Sequence, residues 1–279
     1  MTYEDFRVGQ LFESGTRTID ADDLRRFVEL SGDAAAIHVD AEHARALGME
    51  GPVVHGPFGI AAVFGLLFEQ RIVEPTAIAM LDLDWRFVAP IVAGDELRFE
   101  MTVTRCRRSR TRQAGIVGRH FRVFKQGGVV VGEGTSSLLV QARAGAEGPD
   151  PAIRTDFCSH AWAEALLPEL AESRAFGEAA ASFDGSIGLR AGREAVQLRI
   201  YKGELLEAAR TTPAGPTFTV GGSELTWAGI ALGERNDFIA RATLGELSAT
   251  GNLHEYLRMT KAVVAIFDAV RALAAEERG

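Results

Sequence analysis

The chain has 279 residues, 47% hydrophobic and 24% charged, a globular composition with room for one large domain or two ordinary ones. A net charge of −8 offers no broad basic face, so nucleic acid is not an expected partner. Cys106 and Cys158, far apart in sequence, are expected to stay reduced, and the polar start MTYEDFRVGQ does not read as a signal peptide. The longest apolar run, around Phe58 to Phe68, is too short to span a bilayer. Together these point to a cytoplasmic protein with no transmembrane segment.

In chain order, residues 6–18 read as an irregular start with a possible first strand. Asp20 is placed to cap a helix through Leu24, Phe27 and Val28 to Leu30, which Ser31-Gly32-Asp33 then breaks. Asp40 caps a short helix carrying His43 and stopping near Gly48. Gly51-Pro52 turns the chain into Val53-Val54-His55-Gly56. Pro57 suits the first turn of a helix, and the run FGIAAVFGLLFEQ is apolar nearly all round, which predicts burial on every side. Small residues along it, Gly59, Ala61, Ala62 and Gly65, would let a sheet approach closely.

Alternating patterns predict strands at Met80–Phe87, Glu96–Thr104, Ala114–Phe124 and Val129–Gln141, with a turn at Gln126-Gly127-Gly128. One helix followed by such a run predicts an antiparallel sheet wrapped on a central helix. The segment Ala142–Ala152, small and proline-bearing, reads as a linker. Beyond it come an amphipathic helix at Asp156–Glu172, strands at Ala181–Leu189, Ala195–Tyr201 and Thr217–Val220, a helix capped by Ser223 that carries Trp227, and a long closing helix from about Leu253. The fold class is therefore α+β in two domains, residues 1–144 and 153–279.

Chemistry concentrates between Leu30 and Gly59. Asp33 and His38 supply an acid and a base that could hold one water between them. The amides of Gly56, Phe58 and Gly59 open a helix, where backbone donors and the helix dipole favour negative charge. Adding water across an activated double bond needs those three parts: a base for water, an acid for the α-carbon, and donors for the developing enolate oxygen. Read as local structure instead, Asp33 caps a turn and His38 is a half-buried histidine. A metal reading gathers His38, Asp40, Glu42, His43 and His55, but their spacing fits no tight zinc pattern, so no metal is expected. His43 and His55 then fall to surface or structural positions. The arginine run TRCRRSRTRQ belongs to a hairpin; as solvated surface it needs no ligand, and as a binding feature Arg107, Arg108 and Arg110 would meet phosphates.

The stretch FVELSGDAAAIHVDAEHARALGMEGPVVHG resembles the hydratase 2 signature of the MaoC-like family, S/T-G-D-x-N-P-x-H and then V-H-G, through Gly32, Asp33, His38 and Val54-His55-Gly56. LDLDWRFVAPIVAGDEL and VFKQGGVVVGEGTSSLLV are similar to later parts of that family, so the likeness spans roughly residues 3–141. It implies a hot-dog fold and a homodimer. It also implies (3R)-specific enoyl-CoA hydratase or 3-hydroxyacyl thioester dehydratase activity, with Asp33 and His38 activating water and the Gly56 amide in the oxyanion site. No cofactor is implied beyond coenzyme A, or an acyl carrier, as part of the thioester substrate; the arginines would then bind the coenzyme A phosphates. Ala35 and Ala36 stand where the family has Asn and Pro, removing an amide that would orient the pair. A non-catalytic acyl-CoA or lipid carrier and a hot-dog thioesterase are the alternatives.

The C-terminal part resembles the sterol carrier protein 2 family over about residues 155–276, through the strands around Ile187 and Leu198, the helix carrying Trp227, and GELSATGN before the last helix. That resemblance implies a mixed α/β domain with an apolar tunnel for a lipid or acyl-chain ligand.

Overall fold

A computed structural model describes residues 1–145 and 150–275. Two short strands, β1 (Leu11–Glu13) and β2 (Arg17–Thr18), precede helix α1 (Ala21–Ser31). The side chain of Asp20 caps α1 by accepting the Asp23 N–H, and Gly32 ends it with a φ of +75°, a left-handed conformation open to glycine without steric cost. That turn delivers Asp33. Two short helices follow, α2 (Ala36–Val39) and α3 (Ala41–Ala46), and Asp40 caps the second through the Glu42 and His43 N–H groups. Helix α4 (Gly56–Glu69) has Pro57 in its first turn. Strands β3 (Ala77–Phe87), β4 (Glu96–Arg108), β5 (Ala114–Lys125) and β6 (Val129–Gln141) complete the sheet in the order β1-β4-β5-β6-β3, with β2 also on β4.

Phe64 of α4 packs on Phe121 of β5 at 5.8 Å, and Phe99 and Trp85 close on the same ring at 5.8 and 6.1 Å. A sheet holding one central helix against its inner face in this way is the hot-dog fold. The expectation that α4 is buried on every side needs correction. Gly59, Ala62, Val63, Leu66 and Leu67 are buried, but Phe68 is 65% exposed and Ala61 also faces out. A single sheet covers one side of a helix, so an apolar circumference does not guarantee burial all round.

The expected linker, Ala142–Ala152, lies partly outside the described residues, at 146–149. The chain divides into two compact units, one of residues 1–6, 10–103 and 112–144, the other of residues 7–9, 104–111 and 145–279. The second unit thus includes the end of β4, and ion pairs account for this. Arg107 grips Asp156 through Nε and Nη2 at 2.7 and 2.9 Å and reaches Glu194 at 3.0 Å, while Arg105 pairs with Asp156 at 3.6 Å and with Glu224.

The rest of the second unit runs α5 (His160–Glu172), α6 (Arg174–Ala180), β7 (Asp184–Ala191), β8 (Glu194–Tyr201), β9 (Glu204–Ala209), β10 (Phe218–Gly222), α7 (Glu224–Leu232), α8 (Phe238–Thr243), β11 (Leu247–Gly251), α9 (Leu253–Arg258) and α10 (Thr260–Ala275). Its sheet has the order β11-β10-β7-β8-β9, with β10 parallel to β7 and the other pairs antiparallel. Several expected boundaries move. The helix expected from Asp156 starts at His160, capped by Ser159, because Asp156 is held by Arg107. Residues 174–180 form α6, so β7 begins at Asp184 rather than Ala181. The closing helix is two, meeting at Met259. Trp162, Trp227, Phe157 and Phe267 form one buried aromatic cluster. Cys106 and Cys158 are buried and not joined in a disulfide. Among the described residues no helix is long and apolar enough to cross a membrane.

His120 alternates with Phe121 and so lies on the opposite face of the hot-dog sheet. Its Nε2 lies 3.1 Å from Glu133, which also accepts from Arg86 at 2.6 Å. Burial pushes the imidazole below its ordinary 6.5, with Glu133 opposing in part. Glu133 is likewise raised by burial but more strongly lowered by Arg86 and His120, ending below 4.5. Each group binds protons less readily folded than unfolded, so stability rises with pH across both ranges. The urea midpoint should fall as pH drops below about 6.5 and again below about 4.5, and His120→Gln should flatten the upper step. An unchanged upper step in that variant would rule out His120 as its source.

Candidate active site

The residues from Asp33 to Gly56 meet at the start of α4. His38 lies in α2, and its Nδ1 is 2.6 Å from the Val53 carbonyl. A carbonyl only accepts, so Nδ1 carries a proton, and in the neutral ring Nε2 keeps its lone pair. The Asp33 side chain is 54% exposed, and one of its oxygens accepts the Ala35 N–H at 3.3 Å. Asp33 therefore does shape a turn, as the local reading expects, while its other oxygen lies 3.9 Å from His55 Nε2. Donor atoms of Asp33, His38 and His55 all lie within 4.8 Å of one another. One water spans such a gap between an acid and a base.

Of the surface or structural positions expected for His55, the structure places it in a structural one, against the pair. It is 2% exposed, its ring stacks on His38 with centroids 3.8 Å apart and planes at 23°, and its Nε2 lies 2.9 Å from the Asp33 carbonyl. Its one sequence signal is its position immediately before the helix start, which gives no hint of the stack. His43, in contrast, is exposed on α3, and Asp40 is committed to capping. Backbone hydrogen bonds from His43 and Glu42 hold the Asp40 carboxyl below its ordinary value.

Gly56 opens α4 with no side chain capping the helix. A methyl group there would meet the Phe87 ring at 2.6 Å, so the close approach of Phe87 to the helix start requires glycine. Behind it lies a cavity of about 500 Å³, lined by His38, His55, Gly56, Val63, Trp85 and Phe87 among others and otherwise mostly aliphatic. Its size and apolar walls suit a small organic ligand oriented by a few polar groups. His38, His55 and Gly56 supply those groups; Asp33 is not part of the lining, but its carboxylate lies within 4.8 Å of the histidine donor atoms.

The arrangement can move protons between a carboxylate and an imidazole next to a helix start that no side chain caps; of the amides expected there, that of Gly59 is spent on the His55 carbonyl. Asp33, His38 and His55 could also offer three donor atoms to a metal ion. Each ring already spends one nitrogen on a carbonyl, however, which leaves each at most one nitrogen for an ion. The arginine run is dispersed. Arg107 is paired as described above: burial opposes its charge, but Asp156 and Glu194 more than offset that and raise its pKa. The Arg108 main-chain N–H bonds Asp150 at 2.8 Å with the residue half-buried, and Arg110 is exposed in the turn between β4 and β5.

Comparison with known proteins gives this geometry a family. The model of the MaoC like domain matches residues 6–122. An (R)-specific enoyl-CoA hydratase of Aeromonas caviae is 31% identical over 140 residues, 50% of this chain and 99% of that protein. The uncharacterised protein YdeM of Bacillus subtilis (strain 168) is 27% identical over 142 residues, again 50% of this chain and 99% of its own length. A solved structure of a putative MaoC domain protein dehydratase from Chloroflexus aurantiacus aligns with a TM-score of 0.50 and 28% identity, covering 54% of this chain and 43% of that one. These likenesses take in about half of the chain, the half that holds Asp33, His38 and Gly56. Through that half, the chain belongs to the MaoC-like family.

Proposed function

We propose that this protein is a (3R)-specific enoyl-CoA hydratase, or in reverse a 3-hydroxyacyl thioester dehydratase. The observation that carries the reading is the clustering of Asp33 with His38 and His55, where His38, His55 and the uncapped start of α4 line an apolar cavity. The acyl chain would occupy the aliphatic part, with Trp85 and Phe87 along its wall. The thioester oxygen would face the Gly56 amide, where the helix dipole favours the charge that develops as the enolate forms. Asp33 and His38 would hold the water. Between them they take a proton from it as its oxygen bonds the β-carbon, and return one to the α-carbon. The His38 tautomer fits this part, since Nδ1–H is anchored on Val53 and Nε2 is the open base. Ala35 contributes only its backbone N–H to Asp33, so the orienting amide of the family signature is supplied by no side chain at that position.

We extend the proposal to the second unit and to assembly. The mixed five-stranded sheet and apolar interior of that unit support a sterol carrier protein 2-like role in holding a lipid or acyl chain. Pairing of Arg107 with carboxylates leaves Arg108 and the exposed Arg110 as the members of the set able to meet coenzyme A phosphates. In the hot-dog sheet, β3 is the terminal strand, and Ile78, Met80, Leu81, Leu83 and Phe87 on it are 37–57% exposed. A long apolar edge strand invites a partner strand, and a second copy of the chain is the natural one.

Two outcomes test this reading. Hydration of enoyl-CoA thioesters, followed by loss of the conjugated thioester absorbance, should proceed in the wild type and fall by roughly a hundredfold or more in His38→Ala and in Asp33→Asn. A wild-type rate in either variant removes that residue from the mechanism. Release of free thiol instead would indicate a thioesterase, and tight binding without product a carrier. Light scattering should give twice the chain mass of 30.0 kDa for the wild type and a single chain for Leu81→Lys/Leu83→Lys. A monomeric wild type would contradict the dimer.

A further inference from the structure

We infer that His55 is the positioning residue of this site, holding the main chain at Asp33 and the ring of His38 in register with the helix start at Gly56. The kinetic consequences rest on the hydratase reading; the geometry does not.

His55 directly precedes α4 and is 2% exposed, yet its side chain does not cap the helix. It turns instead toward the segment between α1 and α2. Its Nε2 faces the Asp33 carbonyl at 2.9 Å, and since a carbonyl only accepts, Nε2 carries the hydrogen. In the neutral ring Nδ1 is then bare, and that atom is buried with no hydrogen-bond partner. A core histidine placed only for packing would be expected to satisfy both nitrogens, or to be replaced by an apolar ring. Here one nitrogen is left unsatisfied while the other is aimed at the main chain of the candidate acid.

The ring itself is gripped on two sides. His38 lies against one side at 3.8 Å and 23°, and Phe27 of α1 meets it at 4.9 Å and 56°. Phe27 is in turn held by Phe58 of α4 at 5.4 Å. The His55 carbonyl accepts the Gly59 N–H at 3.0 Å within the first turn of α4. One residue thus touches the acid's backbone, the base's ring face and the first turn of α4. The Asp33 side chain is 54% exposed, and its other restraints are local to its own turn: its N–H donates to Ser31 Oγ at 3.2 Å and its carboxylate accepts the Ala35 N–H at 3.3 Å. The bond from His55 to the Asp33 carbonyl supplies part of the restraint that an orienting amide at position 35 would have given.

Bond and stack can be separated. His55→Phe keeps a planar ring against His38 and removes the donor. His55→Gln removes the ring but can place an amide N–H near the position of Nε2. With folding of each variant checked by its thermal melt, His55→Phe should lower kcat on the order of a hundredfold with KM little changed, the scale set by misplaced catalytic groups. His55→Gln should recover most of that loss. A His55→Phe enzyme with wild-type kcat, or a His55→Gln enzyme no faster than His55→Phe, overturns the inference. Nitrogen-15 NMR of the histidine side chains in the wild type gives an arm independent of turnover. It should show His55 as the Nε2–H form and His38 as the Nδ1–H form. His55 in the Nδ1–H form overturns the inference even if hydration is fast. If no enoyl thioester is hydrated, the hydratase reading fails, and the tautomers alone decide whether His55 holds Asp33.

Discussion

Helix α4 begins at the edge of an apolar cavity with no side chain to cap it, and the rest of the N-terminal unit is arranged around that fact. The first amides of a helix have no partners within it, and leaving them unpaired in apolar surroundings is costly. An incoming ligand oxygen is one way to satisfy them. The sheet supplies the cavity wall through Trp85, Phe87, Val123 and Val131, while the helix supplies its own floor through Gly59 and Val63. The polar groups arrive from the segment before the helix, which the left-handed turn at Gly32 and the Val53 carbonyl hold in place. Chemistry at this site therefore depends on a short stretch of chain folded against one helix end.

That locality explains what is legible in the sequence. Asp33, His38 and Gly56 fall within 24 consecutive residues whose turns, caps and breakers are written in Gly32, Asp40, Pro52 and Pro57. The four long strands and α4 are legible from alternation and apolar content, because these reflect burial against a neighbour that the chain itself supplies. His55 is not. Its burial comes from Phe27, 28 residues earlier, and from a stack on His38 that no spacing rule anticipates. Arg107 reads in sequence as a solvated or phosphate-facing charge because its partners, Asp156 and Glu194, lie 49 and 87 residues away.

The second unit shows the same limit in its backbone. Glu204–Ala209, ELLEAA, is made of good helix formers, yet it forms the edge strand β9 because β8 offers a ladder to pair with. Strand β11 escapes sequence reading for a similar reason: LSATG carries little β-branched or aromatic content, and its register is set by β10. Propensity decides where tertiary contacts are silent; here the neighbouring strand overrides it. The ionic cluster of Arg105, Arg107, Asp156, Glu194 and Glu224 belongs to the same class of feature. It joins residues from distant parts of the sequence and explains why the end of β4 belongs to the second unit.

In the proposed reaction, Asp33, His38 and the start of α4 act together on the double bond of an acyl thioester and leave the thioester intact. Reaction with a short enoyl-CoA in deuterium oxide, followed by identification of the product, tests this most directly. The expected product is a (3R)-3-hydroxyacyl-CoA with one deuterium at the α-carbon, formed with no free coenzyme A. A (3S) product, a product without α-deuterium, or release of free thiol would contradict it.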